Sequence, residues 1–112
     1  MDQNLDNIRN IYPLNQPKTF THEEALELIP LLQLISAKSK RQINMLNSQL
    51  SFQKSDSEKA KTLQHKINQE LQIWSDKIRR LGTLPISLCK VKIPSEEGYF
   101  LWEYPENKLF LN

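Results

Sequence analysis

Three neighbouring residues, His22, Glu23 and Glu24, are of types that coordinate metal ions. Consecutive residues of a helix point in different directions, however, so these side chains would not converge on one ion. The two carboxylates are explained more simply by the positive end of a helix dipole, which stabilises acidic residues in the first turn. We therefore predict that this cluster holds no metal.

One cysteine and one further histidine are the other candidates for chemistry. Cys89 is the only cysteine, which excludes an internal disulfide bond and a cysteine-based zinc cluster. Its apolar neighbours predict a buried, unreactive thiol in a strand. His65 follows the apolar position Leu63 by two residues, and this spacing predicts an exposed imidazole. Because no nucleophile stands beside a base, we predict that the protein is not an enzyme and binds no cofactor.

Basic residues along the predicted helices could contact a phosphate backbone. The net charge of the chain is only +2, however, and the sequence contains no glycine-rich phosphate loop. A solvated helix surface is therefore the simpler interpretation, and nucleic-acid binding is the alternative. The basic residues that nucleic-acid binding would use are Lys38, Lys40, Arg41, Lys59, Lys61 and Lys66.

Aromatic residues could stack on nucleic-acid bases, as they do on some sheet surfaces. Trp74 lies in the second predicted helix, and Phe100, Trp102 and Tyr104 alternate in a later segment. The same side chains are needed to build any core, so the sequence favours a core role for them. We expect Trp102, at the centre of the alternating face, to be more deeply buried than Trp74.

Two helices position most of these residues. The first has an explicit start, because Thr21 and Glu24 have the spacing of a capping box. We predict a helix over residues 22–52, with a bend but no break near Pro30. Its packing face follows steps of three or four residues. The residues of that face are Leu28, Leu32, Ile35, Ser39, Ile43, Leu46 and Leu50.

The second helix follows a turn predicted at residues 53–56. Ser55 and Glu58 have the spacing of a second capping box, and Gly82 supplies a C-terminal stop. The two helices should pair antiparallel along their matching faces. The residues of the second face are Ala60, Leu63, Ile67, Leu71, Trp74, Ile78 and Leu81.

The periodicity changes from helical to alternating after the second helix, which predicts strands. Within residues 84–93, the apolar residues occupy even-numbered positions up to 88 and odd-numbered positions from 89 onward. This change of strand face predicts a kink near residues 88–90. A turn at residues 95–98, a strand at 99–104 and an extended piece at 109–111 follow. The simplest product is a three-stranded antiparallel meander.

So small a sheet is not stable alone, so its aromatic face must cover part of the hairpin. The predicted fold is α+β, mainly α: a long antiparallel, coiled-coil-like helical hairpin with a C-terminal three-stranded antiparallel β-meander packed on its base. The domain spans residues 19–112, with the hairpin at 21–82 and the meander at 83–112, and residues 1–18 form a flexible or loosely docked arm. We expect the sheet to cover the apolar base of the first helix, which carries Leu26, Leu28, Ile29, Leu31, Leu32, Leu34 and Ile35.

A further pattern runs through roughly residues 19–106. It consists of Phe20-Thr21-His22-Glu23-Glu24-Ala25 followed by Leu28, Ile29, Pro30 and Leu31, a long charged hairpin, Gly82, then Ile93-Pro94, Gly98 and Trp102. In these residues the chain resembles the uncharacterised bacterial family known as domain of unknown function 2203. That family usually continues with Gly-Glu and Trp-His pairs, where this chain has Pro105-Glu106 and Phe110-Leu111. The resemblance implies the same fold and a bacterial origin, and it implies no activity.

Two functional hypotheses follow. The first is a protein–protein interaction module whose hairpin pairs with another helical protein or with its own copy as a homodimer. Met45 and Phe52 are its candidate contacts, because both fall off the predicted packing face. The second is a nucleic-acid-associated protein that uses Lys38, Lys40, Arg41 and Lys66. The sequence has no run of apolar residues long enough for a membrane span, and a cytoplasmic location is expected.

Overall fold

The computed structural model describes residues 18–111 as two long helices followed by a small antiparallel sheet. The predicted N-terminal arm lies outside the described residues, except for Lys18. The elements are α1 His22–Leu50, α2 Glu58–Arg80, β1 Leu84–Ser87, β2 Lys90–Ser95, β3 Gly98–Glu103 and β4 Phe110–Leu111.

Helix α1 begins at the predicted capping box. The backbone N–H of Glu24 donates to the Thr21 hydroxyl at 3.1 Å, and the backbone N–H of Thr21 donates to the Glu24 carboxylate at 2.9 Å. Phe20, just before the cap, is buried in the same cluster as Ala25 and fixes the direction in which the chain enters the helix. The helix then continues without a break through Pro30.

Helix α2 begins two residues later than the second capping box predicts. Ser57 is the N-cap, and its hydroxyl accepts a hydrogen bond from the Ala60 backbone N–H at 3.1 Å. The backbone N–H of Ser57 in turn donates to the Lys54 carbonyl at 3.0 Å, so Ser55 lies inside a turn of the connecting loop. Glu58 is then the first helical residue and cannot close a capping box. The prediction for Ser55 was therefore wrong.

The sheet is an antiparallel meander with the strand order β1-β2-β3-β4. The predicted kink near residues 88–90 is instead a hairpin turn, because Ser87 pairs with Lys90 and only Leu88 and Cys89 lie between them. The single bent strand predicted over residues 84–93 is therefore two paired strands. The register of β1 also shifts between Pro85 and Ser87.

The sheet packs on the base of the hairpin, which confirms the predicted fold class. Strands β1 to β3 form the three-stranded antiparallel meander, and β4 extends it by two residues. Side chains from α1, α2 and the sheet share one core. Its buried residues are Phe20, Ala25, Ile29, Leu32, Trp74, Ile78, Val91, Ile93, Phe100 and Trp102.

The two tryptophans are almost equally buried. Trp102 is 0% exposed and Trp74 is 2% exposed, so the predicted order holds but the expected contrast does not. Trp74 packs in the shared core, and its Nε1–H donates to the buried Ser36 hydroxyl at 3.0 Å across the helix pair. A buried indole needs such a partner, and the sequence pattern did not reveal this one.

Candidate functional site

The face of α1 turned away from the core carries exposed apolar and charged residues in a regular order. At roughly 100° per residue, Leu34 lies about 160° around the helix from the fully buried Leu32. Steps of four and three residues connect the members of this face. We call it the outer stripe, and it consists of Glu27, Leu31, Leu34, Lys38, Arg41 and Met45.

The apolar members of the outer stripe are open to solvent. Leu34 is 70% exposed, Met45 is 53% exposed and Leu31 is 41% exposed. The sequence had predicted that the sheet would cover Leu26, Leu31 and Leu34, and that prediction was wrong. The sheet sits over the side of α1 that also faces α2, where Ile29 and Leu32 are buried, and it does not reach around the helix.

The charges of the outer stripe are separated along the helix. Glu27 lies on the side nearest the base, while Lys38 and Arg41 lie beyond the two leucines, and all three are exposed. The outer stripe therefore runs from acidic through apolar to basic. This polarity was not recognised in the sequence, although the heptad-like spacing of the six residues was visible there.

The structure brings some of the predicted interaction residues together and separates others. Lys38, Arg41 and Met45 share the outer stripe. Lys40 lies on another side of α1, where its Nζ is 5.9 Å from the centre of the Tyr104 ring. Lys66 is exposed on α2. The basic residues proposed for phosphate contact are thus divided between different faces.

Phe52, the other predicted apolar contact, lies in the loop at the tip of the hairpin. It follows the end of α1 by two residues, and its backbone N–H donates to the Gln49 carbonyl at 3.2 Å. Its side chain is 86% exposed. It therefore projects from the tip rather than from the outer stripe.

A polar layer crosses the helix pair on the opposite, buried side of α1. Besides the Ser36 and Trp74 pair, the Ser39 hydroxyl donates to a Glu70 carboxylate oxygen at 3.0 Å. Ser36 and Ser39 are both buried. Small side chains let the two helices approach, and the two hydrogen bonds fix which residues face each other.

Cys89 is buried, as predicted, but it lies in the β1–β2 turn rather than in a strand. Its backbone φ is +69°, a value that few residues other than glycine adopt. The thiol points to α1, where Sγ donates to the Ser36 carbonyl at 3.7 Å. Burial raises the pKa of the Cys89 thiol, and the nearby Lys40 charge and the contact with Ser36 oppose this only in part. The group is therefore protonated and poorly nucleophilic.

The raised pKa predicts a specific loss of stability at alkaline pH. Above 9.0, the ordinary value for this thiol, the unfolded chain releases the proton while the folded chain keeps it. The free energy of unfolding therefore falls as the pH rises through that range. We expect the stability difference between wild type and Cys89→Ala to shrink between about pH 7 and about pH 10, measured by urea denaturation. A difference that stays constant with pH would contradict the assignment.

The residues considered for a metal site do not form one. His22 is exposed, and its ring makes an edge contact with the Phe100 ring at a centroid distance of 5.5 Å. It borders an open groove of about 470 Å³ that Glu96 and Glu97 also line. Within residues 18–111, no three histidine, cysteine or acidic side chains are placed to hold an ion. His65 is exposed near the hairpin tip, as its spacing predicts.

Further comparisons bear on identity. No helix among the described residues has the length and apolar character to cross a membrane. Comparison with known protein families, curated proteins and solved structures found no match to this chain. The resemblance to domain of unknown function 2203 therefore stays a prediction.

Proposed function

We propose that this protein is a non-enzymatic interaction module that uses its helical hairpin to bind a second helical surface. The partner that we propose first is another copy of the same chain. The observation that supports this proposal is the outer stripe. One face of α1 is committed to the core, and the opposite face still presents Leu31, Leu34 and Met45 to water. Phe52 adds an apolar side chain at the tip.

Isolated exposed apolar residues are ordinary on protein surfaces and need no partner. The outer stripe differs because Leu31, Leu34 and Met45 all fall on one heptad-like series of positions along a single helix, with charged residues at the other positions. Paired helices contact each other through such a series. Removing such side chains from water contributes roughly 25 cal/mol per Å² of apolar area. A second helix is the shape that can cover several of them together.

Light scattering over concentrations from a few to several hundred micromolar tests this proposal. We expect a dimer mass at high concentration and at least a tenfold weaker dimer for Leu34→Lys with Met45→Lys, because two charges would replace exposed apolar side chains of the outer stripe. A matched control is Thr62→Lys with Gln69→Lys, which adds the same charge at exposed positions of α2. A monomer mass for the wild type at every concentration would contradict self-association.

The alternative function, nucleic-acid binding, has less support. Lys38 and Arg41 share one face with apolar residues, while Lys40 and Lys66 lie elsewhere. Binding to phosphates falls steeply with added salt, whereas pairing of apolar helix faces does not. Titration of a labelled oligonucleotide at low and moderate salt therefore separates the two functions.

A further inference from the structure

The order of charges in the outer stripe indicates how a second copy would dock. The acidic Glu27 lies on the base side of Leu31 and Leu34, and the basic Lys38 and Arg41 lie on the tip side. A parallel partner would place like charges opposite each other. An antiparallel partner reverses the order and places acidic residues opposite basic ones.

We propose that two copies pair antiparallel through the outer stripes of α1, with Leu31 of each copy opposite Leu34 of the other. This inference rests on the proposed function and gives it a geometry and a centre. The interface is isologous, so each contact occurs twice about a twofold axis that passes between the two leucines. Leu34 is at the centre of this interface and is the most exposed apolar residue of the outer stripe.

The register then follows from counting along the helix. Glu27 lies four residues before Leu31, and Lys38 lies four residues after Leu34, so these two charges meet across the axis. Arg41 lies seven residues after Leu34 and comes opposite Glu24, in the acidic first turn of the partner helix. Apolar residues at the centre and opposite charges on both sides specify one register and one orientation.

The rest of the molecule leaves room for this partner. The sheet and α2 both lie on the core side of α1, where Ile29 and Leu32 are buried. Tyr104 and Pro105 approach α1 beside Pro30 and Leu34 and form a shallow groove along the edge of the outer stripe. Leu34 stays exposed despite them. The segment from Glu24 to Arg41 is about 26 Å long at roughly 1.5 Å per residue, which suits a weak and reversible dimer.

Light scattering of variants in which the charge at residue 27 or 38 is reversed tests this geometry. Glu27→Lys places a positive charge opposite Lys38 at two symmetric contacts, and Lys38→Glu places a negative charge opposite Glu27 in the same way. We expect each single variant to dimerise at least about tenfold more weakly than wild type. The double variant restores opposite charges and should dimerise about as well as wild type. An equimolar mixture of the two single variants should form a heterodimer.

The parallel arrangement gives a different result. There, residue 27 meets residue 27 and residue 38 meets residue 38, so a single reversal would leave dimerisation nearly unchanged. That outcome would overturn the antiparallel register. Leu34→Lys, at an exposed position where folding should not suffer, is expected to abolish the dimer, with Thr62→Lys as its matched control.

The failures of the two proposals are distinguishable. A dimer that resists Leu34→Lys and both charge reversals but breaks on Met45→Lys with Phe52→Lys would keep self-association and overturn the centre at Leu34. A wild type that stays monomeric throughout would overturn both. In that case a different helical protein, or residues 1–17 of the same chain, would be the occupant to test next.

Discussion

Replacing Trp102 with alanine is expected to destabilise the folded chain by about 3–5 kcal/mol. Trp102 is fully buried at the centre of the shared core, opposite Val91 in the strand register. Its Nε1–H donates to the Glu106 carbonyl at 2.8 Å, so the same residue anchors the turn after β3. Domains of this size are stable by only about 5–15 kcal/mol, so this loss is a large fraction of the total stability.

Urea denaturation followed by circular dichroism measures this effect. The matched control is Trp102→Phe, which keeps an aromatic ring in the core but loses the Nε1–H donor. It should be destabilised by clearly less than the alanine variant, because most of the buried apolar volume remains. A loss below about 1 kcal/mol for Trp102→Ala would show that the sheet does not share one core with the hairpin.

The second large effect is expected at Ser36, where the helix pair is joined by a buried hydrogen bond. Ser36→Ala leaves the Trp74 Nε1–H without a partner in a site from which water is excluded. An unsatisfied buried donor costs about 1–3 kcal/mol, and we expect a loss of stability in that range. The change removes only one oxygen, so lost packing contributes little.

A double-mutant cycle isolates this hydrogen bond. In a Trp74→Phe background the indole N–H is absent, so Ser36→Ala should there have almost no effect on the free energy of unfolding. Equal losses in both backgrounds would contradict the role given to the hydrogen bond. Ser39→Ala is a useful comparison, because its partner Glu70 is only part-buried and can turn to water.

The sequence predicted the features that depend on neighbours in the chain. The capping box at Thr21, the helical stop at Gly82 and the alternation in β3 each arise within a few residues, and the structure has all three. The N-cap of α2 was misplaced because two serines compete there. The choice of Ser57 over Ser55 depends on how the whole loop closes between two packed helices.

Features that depend on distant contacts were not predicted. Cys89 adopts a positive φ in a hairpin turn, although cysteine gives no turn signal. The pairing of Ser36 with Trp74 joins residues 38 positions apart. The exposure of Met45 followed from its position off the packing face, whereas that of Leu34 depends on how far the sheet extends around α1, which no local pattern encodes.

The irregular first strand restricts the ways in which this molecule can assemble. β1 is one of the two edge strands of the sheet, and an edge with exposed Leu84 and Ile86 would ordinarily recruit further chains into a continuous ladder. Pro85 has no N–H to donate, and the register shift beside it disrupts the hydrogen-bonding row. Addition of further strands at the β1 edge is therefore blocked, so a continuous ladder of sheets cannot begin there.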